Sequence, residues 1–290
     1  MFIIKYKSLF IGLSTILVAI SCVLFVTLGI KKGIDFTGGT TLEIAYATST
    51  KEQVVLDTVA IKALGVSTFS TGENTYKFIS TKEYDAFQPQ LDPLLTQGKY
   101  SYTETQVNTV GPSLGKEMTN KAIIAIVVVV LAILAFIAFA FREVSEPVSS
   151  WKYGVVAMVT MVHDIIIPAG AYTLFSYYYG AEVNTLFVIG LLTIMAVTIS
   201  DKIVVFDRIR ENLKIKKGNF EEIVGMSLVQ TVTRSINTSL STVLALVALY
   251  FFGPESTKFF SLTLIVGMVV GTYSSICVAS PLLTIWGKKK

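Results

Sequence analysis

Thr185–Phe206 reads TLFVIGLLTIMAVTISDKIVVF, an apolar run long enough to cross a bilayer that nevertheless carries Asp201 and Lys202 side by side. A charge at the bilayer centre costs from about 2.5 kcal/mol to more than 10. Arg234 lies near the start of the next apolar run. A chain that keeps such charges uses them, by default to move ions or protons. This separates the sequence from an ordinary membrane-anchored domain.

Working outward, six stretches approach the roughly 20 apolar residues that a membrane helix needs. They fall at 8–30, 120–141, 153–178, 185–206, 231–252 and 259–286. Composition agrees: 52% of residues are hydrophobic and 15% charged, where soluble domains average about 25% charged. The net charge of +4 is spread over helix ends, which excludes a nucleic-acid binder. Cys22 and Cys277 sit in apolar segments, and His163 is the single histidine, so no disulfide framework, metal site or cofactor is expected. The first run, Ser8–Ile30, outlasts a signal-peptide core and lacks a small-residue cleavage site, so it reads as an uncleaved anchor.

Lysine and arginine set the expected orientation. With the N-terminus cytoplasmic, that side receives Lys5, Lys7, Arg142, Lys152, Arg208, Arg210, Lys214, Lys216, Lys217 and Lys288–Lys290. The opposite short loops, 179–184 and 253–258, receive only Lys258. Both termini are then cytoplasmic and residues 31–119 extracytoplasmic. The expected division is a first helix over 1–30, an outer domain over 31–119 and a five-helix bundle over 120–290.

In the outer region Thr40–Tyr46 reads as a strand and Lys51–Leu64 as a helix. Val66–Thr71 and Thr75–Ser80 read as strands joined at Gly72-Glu73-Asn74. A weaker helix over 81–97, interrupted by Pro89 and Pro93, precedes a strand from Tyr100 to Val110. The order βαββαβ predicts a small α+β ferredoxin-like domain.

At 1.5 Å per residue, Asp201 lies about 24 Å along its span, and Arg234 about 5 Å into the next from the cytoplasmic side. The two depths match, so Asp201 and Arg234 can pair, either as part of an ion path or as a structural ion pair. Asp164, beside His163, lies about 18 Å into the third span. Desolvation favours the neutral form of such a carboxylate unless water or a donor faces it. Asp164 can relay protons, or bond a backbone group freed by Pro168; His163 reads as a helix–helix donor. Ser235, Asn237, Thr238, Ser239, Ser241 and Thr242 form a polar ladder, read as interhelical glue or the lining of a water path. Gly267 and Gly271 form a GxxxG pair for close packing. Asp207, Arg208, Arg210 and Glu211 are spaced to pair where the fourth span leaves the membrane. Gly111–Lys116 is one residue short of a phosphate loop, with Glu117 in place of Ser/Thr. Asn237-Thr238-Ser239 fits a glycosylation sequon but falls inside the bilayer. No catalytic constellation emerges, and no enzyme is expected.

Several motifs carry a resemblance. Asp35-Phe36-Thr37-Gly38-Gly39-Thr40 after the first span and Val110-Gly111-Pro112 before the second resemble the SecD/SecF protein-export family. His163-Asp164, the block Val204–Asn212 containing Asp207 and Arg208, Arg234–Ser239 and Gly271–Ile276 resemble its SecF branch. The resemblance implies an auxiliary subunit of the Sec preprotein translocase in the bacterial cytoplasmic membrane, surrounded by lipid. It would act with SecD, the SecYEG channel and the translocating preprotein, coupling the proton-motive force to late export. It also implies the resistance-nodulation-division fold, with Asp201 and Arg234 as relay residues and a further carboxylate from SecD. One departure stands out. Family members commonly show Gly-Tyr-Ser-Ile-Asn-Asp-Thr where this chain has Ala196-Val197-Thr198-Ile199-Ser200-Asp201-Lys202. Lys202 projects about 100° from Asp201 and is expected either to snorkel toward the cytoplasmic headgroups or to face the relay and hinder protonation. The rival readings are a proton-driven exporter of small molecules or lipids and a non-pumping translocon scaffold.

Overall fold

A computed structural model describes residues 2–46, 54–72, 74–140, 150–215 and 218–286. Lys51–Gln53, Glu73, Arg142, Lys216, Lys217 and Lys288–Lys290, invoked above, lie outside the described residues. The chain divides into two compact units. One comprises the described residues of Met1–Gly29, Ala125–Leu174 and Leu186–Lys290, the other Ile30–Ile124 and Phe175–Thr185.

In chain order the elements are α1 (Phe2–Lys5), α2 (Lys7–Leu28), α3 (Ile34–Thr37), β1 (Gly39–Tyr46), α4 (Thr58–Ala63), β2 (Val66–Gly72) and β3 (Thr75–Ser80). There follow α5 (Tyr84–Thr96), β4 (Tyr102–Val110), α6 (Pro112–Ala140), α7 (Ser150–Tyr179), α8 (Thr185–Ile215), α9 (Phe220–Phe252), α10 (Lys258–Ser274) and α11 (Ser280–Trp286). A π-helical turn, Ser275–Ala279, joins the last two.

Six helical stretches are long and apolar enough to cross a membrane, among them Lys7–Leu28, Pro112–Ile137 and Thr185–Ile215. The chain is a multi-pass membrane protein. α7, α8 and the α10–α11 stretch are about half buried, whereas α2, α6 and α9 leave most of their surface open. Leu9, Val26, Ile124, Val128, Leu240 and Leu244 are exposed, as lipid-facing side chains must be. Several helices outrun their apolar stretches: α8 continues to Ile215, and α9 starts at Phe220 rather than near 231. The reason is capping and polar pairing. The Asn219 side chain accepts from Glu221 N–H, and Glu221 and Glu222 occupy the first turn of α9, where negative charge complements the helix dipole. Arg208 pairs with Glu211 at 2.5 Å and Arg210 with Asp207 at 2.8 Å, as their spacing predicts. Arg208 Nε also donates to Gln230 (2.6 Å) and Asn212 to Ser227 (2.8 Å), so the end of α8 is zipped to the start of α9.

The other unit holds a four-stranded antiparallel sheet in the order β2-β3-β1-β4, the split βαβ topology expected. Its core joins Leu42, Ile44 and Phe78 of the sheet to Ile61 of α4 and Phe87, Leu91 and Leu95 of α5. α5 runs unbroken through Pro89 and Pro93. Phe87, Leu91 and Leu95 recur every four residues and bury completely, and that burial outweighs the two lost backbone bonds.

The helix expected from Lys51 is shorter than predicted. α4 begins only after Asp57, whose carboxylate accepts from Val59 N–H (3.1 Å) and Ala60 N–H (3.0 Å). Residues 54–57 are neither helix nor strand, with Val54 and Leu56 buried and Val55 exposed. Asn74 Oδ1 accepts from Val54 N–H at 3.0 Å, and Tyr76 OH donates to Val54 O at 2.5 Å. Those partners come from β3 and its approach, so the local helical spacing misleads.

The motif Asp35-Phe36-Thr37-Gly38-Gly39 forms a knot in this unit. The Asp35 carboxylate accepts the N–H of Thr185 at 2.9 Å, and Val183 exchanges backbone bonds with Lys31 and Gly33. Gly38 (φ +75°) and Gly39 (φ +129°) lie in the left-handed half of backbone space. A Cβ on Gly38 would come within 2.8 Å of Pro112 Cα, and one on Gly39 would strike Ser80 O. Thr37 Oγ1 donates to Gly33 O, and Thr119 Oγ1 reaches Phe36 O at 3.4 Å. Beside the knot, burial pushes the Glu182 carboxyl up to about 7, against the pull of Lys77 and Lys31 and with a further push from Asp35.

Candidate functional site

The bundle's buried charges gather on α7 and α8. Asp164 and Lys202 are both 0% exposed and form an ion pair, Lys202 Nζ donating to Asp164 Oδ2. His163 Nδ1 lies 3.0 Å from the other carboxylate oxygen, while the buried Ser274 hydroxyl of α10 donates to Gly271 O at 3.2 Å. Lys202 Nζ reaches back one turn to the carbonyl of Thr198 at 3.4 Å. Lys202 therefore does not snorkel. Its ammonium turns inward because a carboxylate on the neighbouring helix offers a charge-assisted partner. Among the described residues Asp164 is partnered by Lys202 and His163, not by a backbone group freed by Pro168.

Close helix approach makes this possible. A Cβ on Gly267 would strike Ile194, and one on Gly271 would strike Thr198 and stand 3.8 Å from Asp164 Oδ2. The GxxxG pair thus presses α10 onto α8 at the level of the ion pair. On α2, Ser21 occupies the space beside Gly170 of α7 in the same manner.

Asp201 is half-buried and points elsewhere, as its 100° offset from Lys202 requires. It lies within electrostatic reach of Lys202 and Arg234, yet no ion pair joins it to Arg234 among the described residues. Arg234 and Asn237 are exposed on one face of α9, with Thr238 and Ser241. The polar ladder therefore splits. Ser235 and Ser239 turn inward, and Ser239 bonds Thr272 of α10, whereas Asn237, Thr238 and Ser241 are exposed and Thr242 is half-buried. Asp207 and Arg208 serve the end of α8. Thr198 escaped the sequence reading, although its four-residue step to Lys202 was a usable signal.

A buried charge cluster in a bundle of six membrane-length helices, with a split βαβ domain following the first, defines a multi-pass membrane protein built to hold charge in its interior. Residues 90–289 match the family model described as protein export membrane protein SecD/SecF, C-terminal, and residues 23–50 match the SecD/SecF GG motif. The chain belongs to the SecD/SecF family. It is 37% identical to the protein translocase subunit SecF of Thermobaculum terrenum over 99% of this chain and 94% of that one. The SecF of Anaerolinea thermophila is 33% identical over 98% and 93%. The crystal structure of SecDF from Thermus thermophilus, described as a translocon-associated membrane protein, superposes with a TM-score of 0.83 at 30% identity. That match covers 98% of this chain and 38% of the SecDF chain. A SecDF structure described as a super-membrane-facing form gives 0.66.

Proposed function

We propose that this chain is the SecF-type subunit of a preprotein translocase and acts with a SecD subunit beside the SecYEG channel, with both termini cytoplasmic. Relatives named SecDF, of which this chain matches about a third, support the SecD partnership. The carrying observation is the division of labour between adjacent residues of α8. Lys202 is neutralised by Asp164 inside the bundle, so the half-buried Asp201 keeps its own environment, near the exposed Arg234. Asp201 loads and releases protons, and Arg234 with Asn237 presents a polar face to the partner subunit's carboxylate. The Asp164–Lys202–His163 cluster holds α7 against α8, so that protonation shifts a two-state packing instead of a single side chain. The outer domain over 31–119 contacts emerging polypeptide; no covalent chemistry is involved.

The test is preprotein export into inverted vesicles holding this chain and its cognate SecD, with and without a proton gradient. In the wild type the gradient accelerates late export, and in assembled Asp201→Asn it does not. A mutant that keeps the full gradient effect refutes the relay and leaves a scaffold.

A further inference from the structure

The surroundings of the Lys202 ammonium are made of oxygen. Asp164 Oδ2 accepts from it, and the Thr198 carbonyl stands 3.4 Å away. Thr198 Oγ1 is buried without a hydrogen-bond partner in the described structure. A carboxylate from α7 and, from α8, the carbonyl of a residue whose buried hydroxyl is unpartnered are the ligand types that hard metal cations take. Here the positive charge is supplied by a compact point charge on a flexible stem.

We propose that Lys202 is a tethered cation filling an alkali-ion site formed by Asp164 and Thr198. Held on the neighbouring turn, the ammonium outcompetes a free ion through its high effective concentration. The chain is thereby indifferent to sodium. The residue at position 202 decides ion choice, because a threonine there, as the resemblance leads one to expect, leaves Asp164 without a resident counter-charge. The consequence for export rests on the proton-coupled reading above, whereas the site itself does not.

The experiment is thermal unfolding of the purified full chain in detergent, in sodium chloride against choline chloride at equal ionic strength. Three forms are compared: wild type, Lys202→Thr, and Lys202→Thr with Asp164→Asn. Sodium is expected to raise the melting temperature of Lys202→Thr alone, by about 3 °C at roughly tenfold saturation. The double variant lacks the anionic ligand and should not respond. The inference is overturned if the single variant melts identically in both salts, or fails to fold equally in both, since a filled site would rescue the bare carboxylate. A sodium response in the wild type overturns it as well. The outcomes separate cleanly from those of the export assay. A missing sodium shift leaves the Asp201→Asn result untouched, and a failed Asp201→Asn result leaves the sodium shift standing.

Discussion

Replacing Lys202 by methionine keeps the length of the side chain and deletes its charge, leaving Asp164 fully buried with His163 but no counter-ion. Removing one partner of a buried ion pair costs about 3–5 kcal/mol, because the surviving charge is stranded in a low-dielectric interior. Against a total stability of about 5–15 kcal/mol that is a large fraction, and at roughly 2–4 °C per kcal/mol it lowers the melting temperature by about 10 °C. Lys202→Met with Asp164→Asn removes both charges and keeps a hydrogen-bonding amide beside His163. It should return to within about 1 kcal/mol of the wild type. The double-mutant cycle, read by thermal unfolding in choline buffer, then gives a coupling of about 3 kcal/mol. A single mutant within about 1 kcal/mol of the wild type would refute the reasoning, as would additive losses in the double mutant.

Gly271→Leu should drive α10 away from Thr198 and destabilise the chain by about 2 kcal/mol, with gradient-driven export lost in the vesicle assay. Glu182 has a native carboxyl near 7 against 4.5 in the unfolded chain, so the folded state binds the proton more tightly. The stability this provides is complete below pH 4.5 and is lost as the pH rises through about 7, by about 2 kcal/mol after allowing for partial solvent screening. Glu182→Gln should flatten that slope in melting curves taken from pH 5 to 8. Asn74, at φ +56°, accepts from the buried Val54 N–H. Asn74→Ala should cost about 1–3 kcal/mol and speed hydrogen exchange at Val54, whereas Asn74→Asp, which keeps the acceptor, should cost less.

Much of the architecture was legible because it depends on properties local to a segment. Membrane-length apolar runs and the alternation around Thr40–Tyr46 and Thr75–Ser80 need no knowledge of distant residues. Misreadings arose where a distant partner overrode the local pattern. Val54–Asp57 stays out of the helix because Asn74 and Tyr76 take up the backbone of Val54. α5 survives two prolines because Phe87, Leu91 and Leu95 are swallowed by the sheet. α8 and α9 extend beyond the apolar runs because their polar ends bond one another.

The site divides in the same manner. Which residues carry charge inside the membrane, and their depths, follow from the sequence alone, since depth is residue count multiplied by a fixed rise. Depth does not say which way a side chain faces around its helix. Asp201 and Arg234, expected at one level, make no ion pair among the described residues, while Lys202, for which snorkelling and facing the relay were both open, turns inward to Asp164. That choice belongs to tertiary structure. It depends on Gly271 letting α10 close on α8, and on α7 presenting a carboxylate where the ammonium can be satisfied without water.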